Sequence, residues 1–196
     1  RRDMRLVAGK VMMDRNAPPA LLDEADAVLS WNGAGFDTKH INREFIEAGM
    51  TPPSPYIEID LMKVAKKRFK WASNKLDHVS QQLGVGKKVE HEGFQLWLDC
   101  MDGKAAAWKK MKEYQIQDVD LLIDLYEKLR PWIDNHPNVN KQIEDGVDKC
   151  IACGSDHLIT NGTRSTVNGK YRRYHCQDCG KWMRGKTMIS SSQLRN

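Results

Sequence analysis

Four of the five cysteines fall into two Cys-x-x-Cys pairs near the carboxyl end, Cys150/Cys153 and Cys176/Cys179, with 22 residues between them. Each Cys-x-x-Cys step makes a tight knuckle that turns two thiolates toward one metal, and two knuckles complete a closed tetrahedral Zn2+ site. Asn161-Gly162 and Asn168-Gly169 between the pairs are hairpin-turn signals, and residues 170–175 read as a strand, so the pattern predicts a zinc ribbon. With four cysteines filling the site, His157 and His175 read as surface histidines and Cys100 as a packed thiol. Cysteines used this way belong to a reducing compartment, not to a disulfide framework, and imply a cytoplasmic protein.

A second group of residues is dispersed. Asn32-x-x-x-Phe36-Asp37 follows a short apolar run, and Tyr114-x-x-x-Asp118 lies in a helical stretch. Taken as one helix, 115–130 gathers Leu121, Leu122, Leu125 and Leu129 on one stripe, with Asp118 inside it and Tyr114 one turn earlier on the same face. Asp120 and Asp124 point the other way, where a charge is cheap. An ionised carboxylate aimed at a core costs several kcal/mol or more unless it is paired or binds a metal, so Asp118 is the acid that wants a reason. Asp37 and Asp118 are hard oxygen donors that could share Mg2+ or Mn2+. Two such ions about 4 Å apart clamp the attacking and leaving oxygens of a phosphodiester. Each residue also has a plainer use: Asp37 as the cap of a helix starting at Thr38, Asn32 as a turn residue, Tyr114 as a core aromatic.

The elements that must position these residues alternate strand and helix. Residues 1–27 read as one or two helical turns, a break at Pro18-Pro19, and a short helix through Leu21, Leu22 and Ala25. Residues 27–31 read as a buried strand entering the turn Asn32-Gly33-Ala34-Gly35, then an amphipathic helix over 38–48 stopped by Gly49. A strand over 56–60 leads directly into a helix to about Phe69. Ser73 or Asn74 caps a helix carrying Leu76, Val79 and Leu83. Gly86 to Gly93 is a basic loop, and two further helices cover 104–113 and 115–130. The alternation predicts an α/β fold with an incomplete sheet, since two strands are few for such a fold. The polar, turn-rich stretch 134–146 predicts a linker. The expected division is therefore a first domain over 1–133, the linker over 134–146, the ribbon over 147–189 and a tail over 190–196.

Asn-x-x-x-Phe-Asp after a hydrophobic strand, followed by Tyr-x-x-x-Asp on a helix, resembles the second and third motifs of the DnaQ-like DEDD exonucleases. The tyrosine places the resemblance in the DEDDy branch, whose relatives include the proofreading domains of family-B DNA polymerases. The stretches 74–77 and 83–88 resemble the segment between those motifs, 93–97 and 129–132 resemble stand-alone exonuclease-like proteins of phage genomes, and the likeness runs over roughly residues 20–137. It implies an RNase H-like three-layer fold and a 3′–5′ exonuclease working with two metal ions. Asp37, Tyr114 and Asp118 would be catalytic, with Asn32 and Phe36 at the substrate. The family's first motif, an Asp-x-Glu on the first strand, has no counterpart before Asp37. Asp3 has no Glu two residues on, residues 23–26 read as helix or turn, and Glu58-Ile59-Asp60 has the wrong order and place. The expectation is that the first strands and their acid pair lie upstream of Arg1, and that residues 1–196 alone cleave poorly.

The net charge is +5, but residues 146–196 carry nine Lys or Arg against three acids, leaving the rest slightly acidic. A basic module suits a polyanion. Arg172-Arg173-Tyr174 and Lys181-Trp182-x-Arg184 set cations beside aromatics, a composition for phosphate contact and base stacking, so Arg172, Arg173, Lys181 and Arg184 are the candidate nucleic-acid contacts. The expected partner is DNA in preference to RNA, with no membrane, and the host cytoplasm if the gene is a phage's. Two alternatives remain open: a non-catalytic binder built on a degenerate nuclease fold, and a transposase-like RNase H-fold enzyme. The second is disfavoured by the Tyr-x-x-x-Asp pairing.

Overall fold

A computed structural model describes residues 6–8, 17–87, 93–140 and 148–191. The chain divides into two compact units, one over 4–129 and one over 130–196.

The first unit is built on a parallel sheet of three strands in the order β1 (Leu6–Ala8), β2 (Ala27–Ser30), β3 (Ile57–Asp60). Parallel strands need helices over their faces, and their residues are accordingly apolar without strict alternation. Ala27, Leu29 and Ile59 are buried almost completely. Residues 6–8, expected within helical turns, form this first strand; three residues are too few to show a period of two, whereas a neighbouring strand is enough to pair them. The other residues of that expectation lie mostly outside the described ones. Pro18-Pro19 does not break the chain either: both sit in the first turn of α1 (Ala17–Asp23), where a missing N–H costs nothing.

α2 (Asp37–Glu47) connects β2 to β3, and α3 (Leu61–Arg68) and α4 (Leu76–Gln82) follow β3; they bury Phe45, Leu61 with Ala65, and Val79. α5 (Phe94–Met101) occupies part of a stretch where no helix was expected. The two helices expected over 104–130 are one, α6 (Ala105–Leu129), for no glycine or proline interrupts those 25 residues. The amino-terminal half of α6 packs on α5 through Ala107 and Met111 against Leu96 and Cys100. Further along, α6 lies against α3 and β1 and buries Leu121, Leu122, Leu125, Tyr126 and Leu129.

The second unit is an antiparallel sheet of β4 (Leu158–Thr166), β5 (Gly169–Cys176) and β6 (Trp182–Ser191), built over the cysteine knuckles. The turn joining β4 to β5 is Val167-Asn168, one residue before the expected Asn168-Gly169, and Gly169 opens β5. Asn161-Gly162 does not make a turn. It is an irregularity inside β4, where the register with β5 shifts between Thr160 and Thr163 and Gly162 takes φ +65°. An Asn-Gly step supplies the positive φ of a bulge as readily as that of a hairpin. Ile133, expected to end the first domain, and Val139 and Asn140, within the expected linker 134–146, are tied to the ribbon. The Lys181 ammonium donates to the Ile133 carbonyl, Val139 N–H to Ile151 O, and the Asn140 amide to Cys150 O. Residues 141–146 of that linker and the tail beyond Ser191 lie outside the described residues.

Candidate metal centres

The four cysteine side chains converge. All four sulfurs lie within 4.8 Å of one another, and Cys150–Cys179 and Cys153–Cys176 are each 3.6 Å apart. Four sulfurs at about 2.3 Å from one Zn2+ would be about 3.8 Å apart, so the cage fits that ion. Local backbone makes each knuckle. Gly154 and Gly180 follow the two pairs at φ +79° and +76°, and their N–H groups return to the carbonyls of Cys150 and Cys176. That shared Cys-x-x-Cys-Gly was visible in the sequence and strengthens the pairing signal. Burial pushes the Cys176 thiol up. The backbone N–H groups of Cys179 and Asp178 outweigh it, helped by the neighbouring thiols, and bring it down to about 7. Burial pushes the Cys153 and Cys179 thiols up. The donor set thus offers a first thiolate near neutrality, and a bound metal would draw the remaining protons off. Neither histidine competes for the site: His157 meets Asp178 at 3.0 Å, and His175 stacks on Trp182 with ring centroids 4.3 Å apart.

The carboxylate residues are placed by the end of β2 and by α6. After Ser30 the chain must reverse into α2 within a few residues. Asn32 takes φ +67°, the one described non-glycine residue in the left-handed region, which asparagine tolerates best. Gly33 follows because a Cβ there would lie 2.4 Å from the Ser30 Cβ. Residues 33–35 complete a short 3-10 turn, and Phe36 takes the N-cap position of α2 without a side-chain cap. Asp37 is therefore the first residue inside the helix and not its cap, half-buried beside Gly33, where an anion is favoured by the helix end. Phe36 is 57% exposed and packs on the His40 ring. On α6, Tyr114 leans on the cluster of Leu96, Cys100, Ala107 and Met111, and half-buried Asp118 follows one turn later, between that cluster and the Leu121–Leu122 patch. Tyr114 is thus part of the packing of that cluster. Among the described residues, the four cysteines are the one cluster of three or more potential ligands with atoms this close. Asp37 and Asp118 belong to no such cluster.

One residue of this region was missed. Asp60, at the carboxyl end of β3 beside Ser30, is only 5% exposed. Its Oδ1 accepts from the Asn32 N–H at 2.9 Å and from the N–H groups of Met62 and Lys63 at 3.0 and 3.3 Å. It caps α3 and fastens the Asn32 turn in the same act. The strand-then-helix junction at 60/61 marked it as a capping acid; nothing local showed the bond across to residue 32.

The expected nucleic-acid contacts do not share one surface. Alternation along β5 and the pairing of Arg173 with Arg184 and of His175 with Trp182 put these four on one face, while Arg172 points to the other. Lys181, expected among the phosphate contacts, is 7% exposed and spends its ammonium on the Ile133 carbonyl.

A family model described as the RNase H superfamily matches residues 9–130, one residue past the end of the first unit. Comparison with curated proteins gives no match.

Proposed function

The chain belongs to the RNase H superfamily, whose members are usually nucleases that use divalent metals, and from that premise we propose a 3′–5′ exonuclease of the DEDDy type acting on DNA. The observation that carries the reading is the pairing of two motifs with their elements. Asn32 to Asp37 forms the turn at the carboxyl end of a central parallel strand, where α/β sheets bind ligands. Tyr114 and Asp118 share one face of a helix that lies along the same sheet unit.

In this reading Asp37 and Asp118 hold the divalent ions, Mg2+ or Mn2+. Both are carboxylates near the surface, donors of the right hardness for such ions. When bound, the ions supply charge stabilisation to the attacking and departing oxygens of the phosphodiester. Tyr114 orients the attacking water through its hydroxyl. Asn32 and the exposed Phe36 ring meet the terminal nucleotide. The activity needs a further pair of acids, and neither β1 nor any other stretch before Asp37 supplies an Asp-x-Glu on a strand. A second reading, a binder without catalysis on a degenerate nuclease fold, applies if the full-length gene product holds no such pair.

Full-length gene product and a 5′-labelled oligonucleotide decide between the two. Mg2+-dependent shortening from the 3′ end is expected. Asp37→Ala or Asp118→Ala should each slow it at least about 100-fold, since losing even an outer partner of a metal ligand costs about 10–100-fold. Cleavage at the parental rate by Asp118→Ala would sink the assignment. Binding without any Mg2+-dependent cleavage would establish the binder. The ribbon, in the same proposal, holds structural Zn2+ and contributes to nucleic-acid binding; no helix among the described residues is long and apolar enough to cross a membrane.

A further inference from the structure

The ribbon sheet has two unlike faces. Leu158 and Tyr174 pack against the cluster of Cys150, Ala152, Cys176 and Met183, so the face they share with Met183 closes over the cysteine centre. The opposite face is open. By the strand registers it presents Ile159 and Arg164 from β4, Arg173 and His175 from β5, and Trp182 and Arg184 from β6. No acidic residue occurs on any of the three strands.

The side chains of this face are already ordered against one another. Ile159, His175 and Trp182 form a row straight across the sheet, with the His175 and Trp182 rings stacked at an interplanar angle of 20°. The Arg173 guanidinium lies 4.6 Å from the Trp182 ring and donates to the Asn161 carbonyl at the bulge. The Arg184 guanidinium lies 4.2 Å over Tyr171. Trp182 nevertheless keeps 46% of its surface exposed, as does Ile159. Holding rings and guanidinium groups in place before a ligand arrives lowers the ordering cost of binding one.

We propose that this open face binds single-stranded nucleic acid, with an unpaired base against Trp182 and the adjoining phosphates on Arg173 and Arg184. The inference rests on the reading of the ribbon as a nucleic-acid-binding module and specifies its ligand. A duplex keeps its bases inside the stack and offers this face only phosphates and groove edges, leaving the aromatic row without work. An unpaired strand offers both of the things the face is built from: π-faces for the rings and phosphates for the arginines. Arg172 and Lys181 have no part in it, the first lying on the other face and the second being buried.

The test uses the whole zinc-loaded chain without added Mg2+, with anisotropy of a fluorescein-labelled oligothymidylate and of a duplex of the same length. The single strand is expected to bind more tightly. Trp182→Leu, which keeps apolar bulk but removes the ring, should weaken single-strand binding about tenfold or more while leaving duplex binding near its starting value. Trp182→Phe should recover most of the loss. Arg173→Gln with Arg184→Gln should lower the slope of log affinity against log salt by roughly 1.4, two phosphates at about 0.7 each. Zinc content and circular dichroism of each variant confirm that the sheet is intact. Equal affinity for duplex and single strand, or an indifferent Trp182→Leu, overturns the proposal and leaves a nucleic-acid-binding ribbon standing. Failure of the parent chain to bind either one removes the ribbon reading itself. The exonuclease assignment is scored independently, by cleavage.

Discussion

The two candidate metal centres are made in opposite ways. The cysteine cage draws its ligands from two short knuckles, each closed by its own glycine, and all four sulfurs already stand at metal-binding separations. The proposed carboxylate site would draw Asp37 from the first turn of α2 and Asp118 from α6, 81 positions later, and among the described residues neither belongs to a cluster of three or more potential ligands. A cage whose geometry is local can be complete in any piece of chain that contains it. A site assembled by the sheet is only as complete as the sheet. The first kind of centre holds its unit together, and the second is held by its unit.

The largest effect expected from that difference comes from chelation. Structural Zn2+ in small modules is worth about 10–16 kcal/mol near neutrality, so stripping it, or Cys176→Ser, should unfold the ribbon and leave 4–129 folded. Amide spectra of the whole chain would report this as loss of the signals from 148–191 alone. Simultaneous loss of both sets would mean that the two units are not independent in this sense. Because protons compete with the metal for thiolates, zinc affinity should fall as pH falls.

The next effect is the Asp60 cap. Asp60→Ala strips the acceptor from three backbone N–H groups and should cost the first unit about 2–3 kcal/mol in urea unfolding. Asp60→Asn keeps an oxygen in place and should cost less. Equal losses would show that charge matters there, and not the bonds.

A smaller effect is expected from His136. Burial holds its imidazole below the ordinary value of 6.5, with the Pro137 carbonyl opposing and Lys181 and Arg130 adding to the shift. The folded state therefore resists protonation. Its contribution is intact above the unfolded-state pKa and is lost as pH falls below it toward the folded one. His136→Gln should flatten the decline in ribbon stability on the acid side, read from urea midpoints of variant and parent at matched pH. The smallest effect is Asp118→Ala, which should leave unfolding free energy within about 1 kcal/mol, as for most substitutions outside a packed core. A large destabilisation would make Asp118 structural and blur the contrast.

What was legible in the sequence follows the same division. Cysteine spacing pointed to a four-thiol cage because knuckles depend on a few consecutive residues. The strands at 27–30 and 57–60 and the helices after them were readable from short apolar runs and caps. β1 was not, since Leu6-Val7-Ala8 becomes a strand only by pairing with Ala27-Val28-Leu29. α6 was divided in two at Tyr114, although the backbone runs on unbroken through all 25 residues. Lys181 looked like one more cation in a basic run, and only the carbonyl of Ile133, 48 positions away, removes it from the surface. Asp60 stood in plain view as an acid on a strand, but its work is done on residue 32.

That shared carboxylate has a mechanical consequence. One oxygen of Asp60 pins both the first turn of α3 and the turn after β2. Neither can slide without stretching bonds to the other, so the two behave as a single riveted part. α3 carries Lys63, Lys66 and Lys67 on its exposed side, and the turn leads within five residues to Asp37. A load placed on that basic helix is therefore borne at the turn as well, through one rivet at the edge of the sheet.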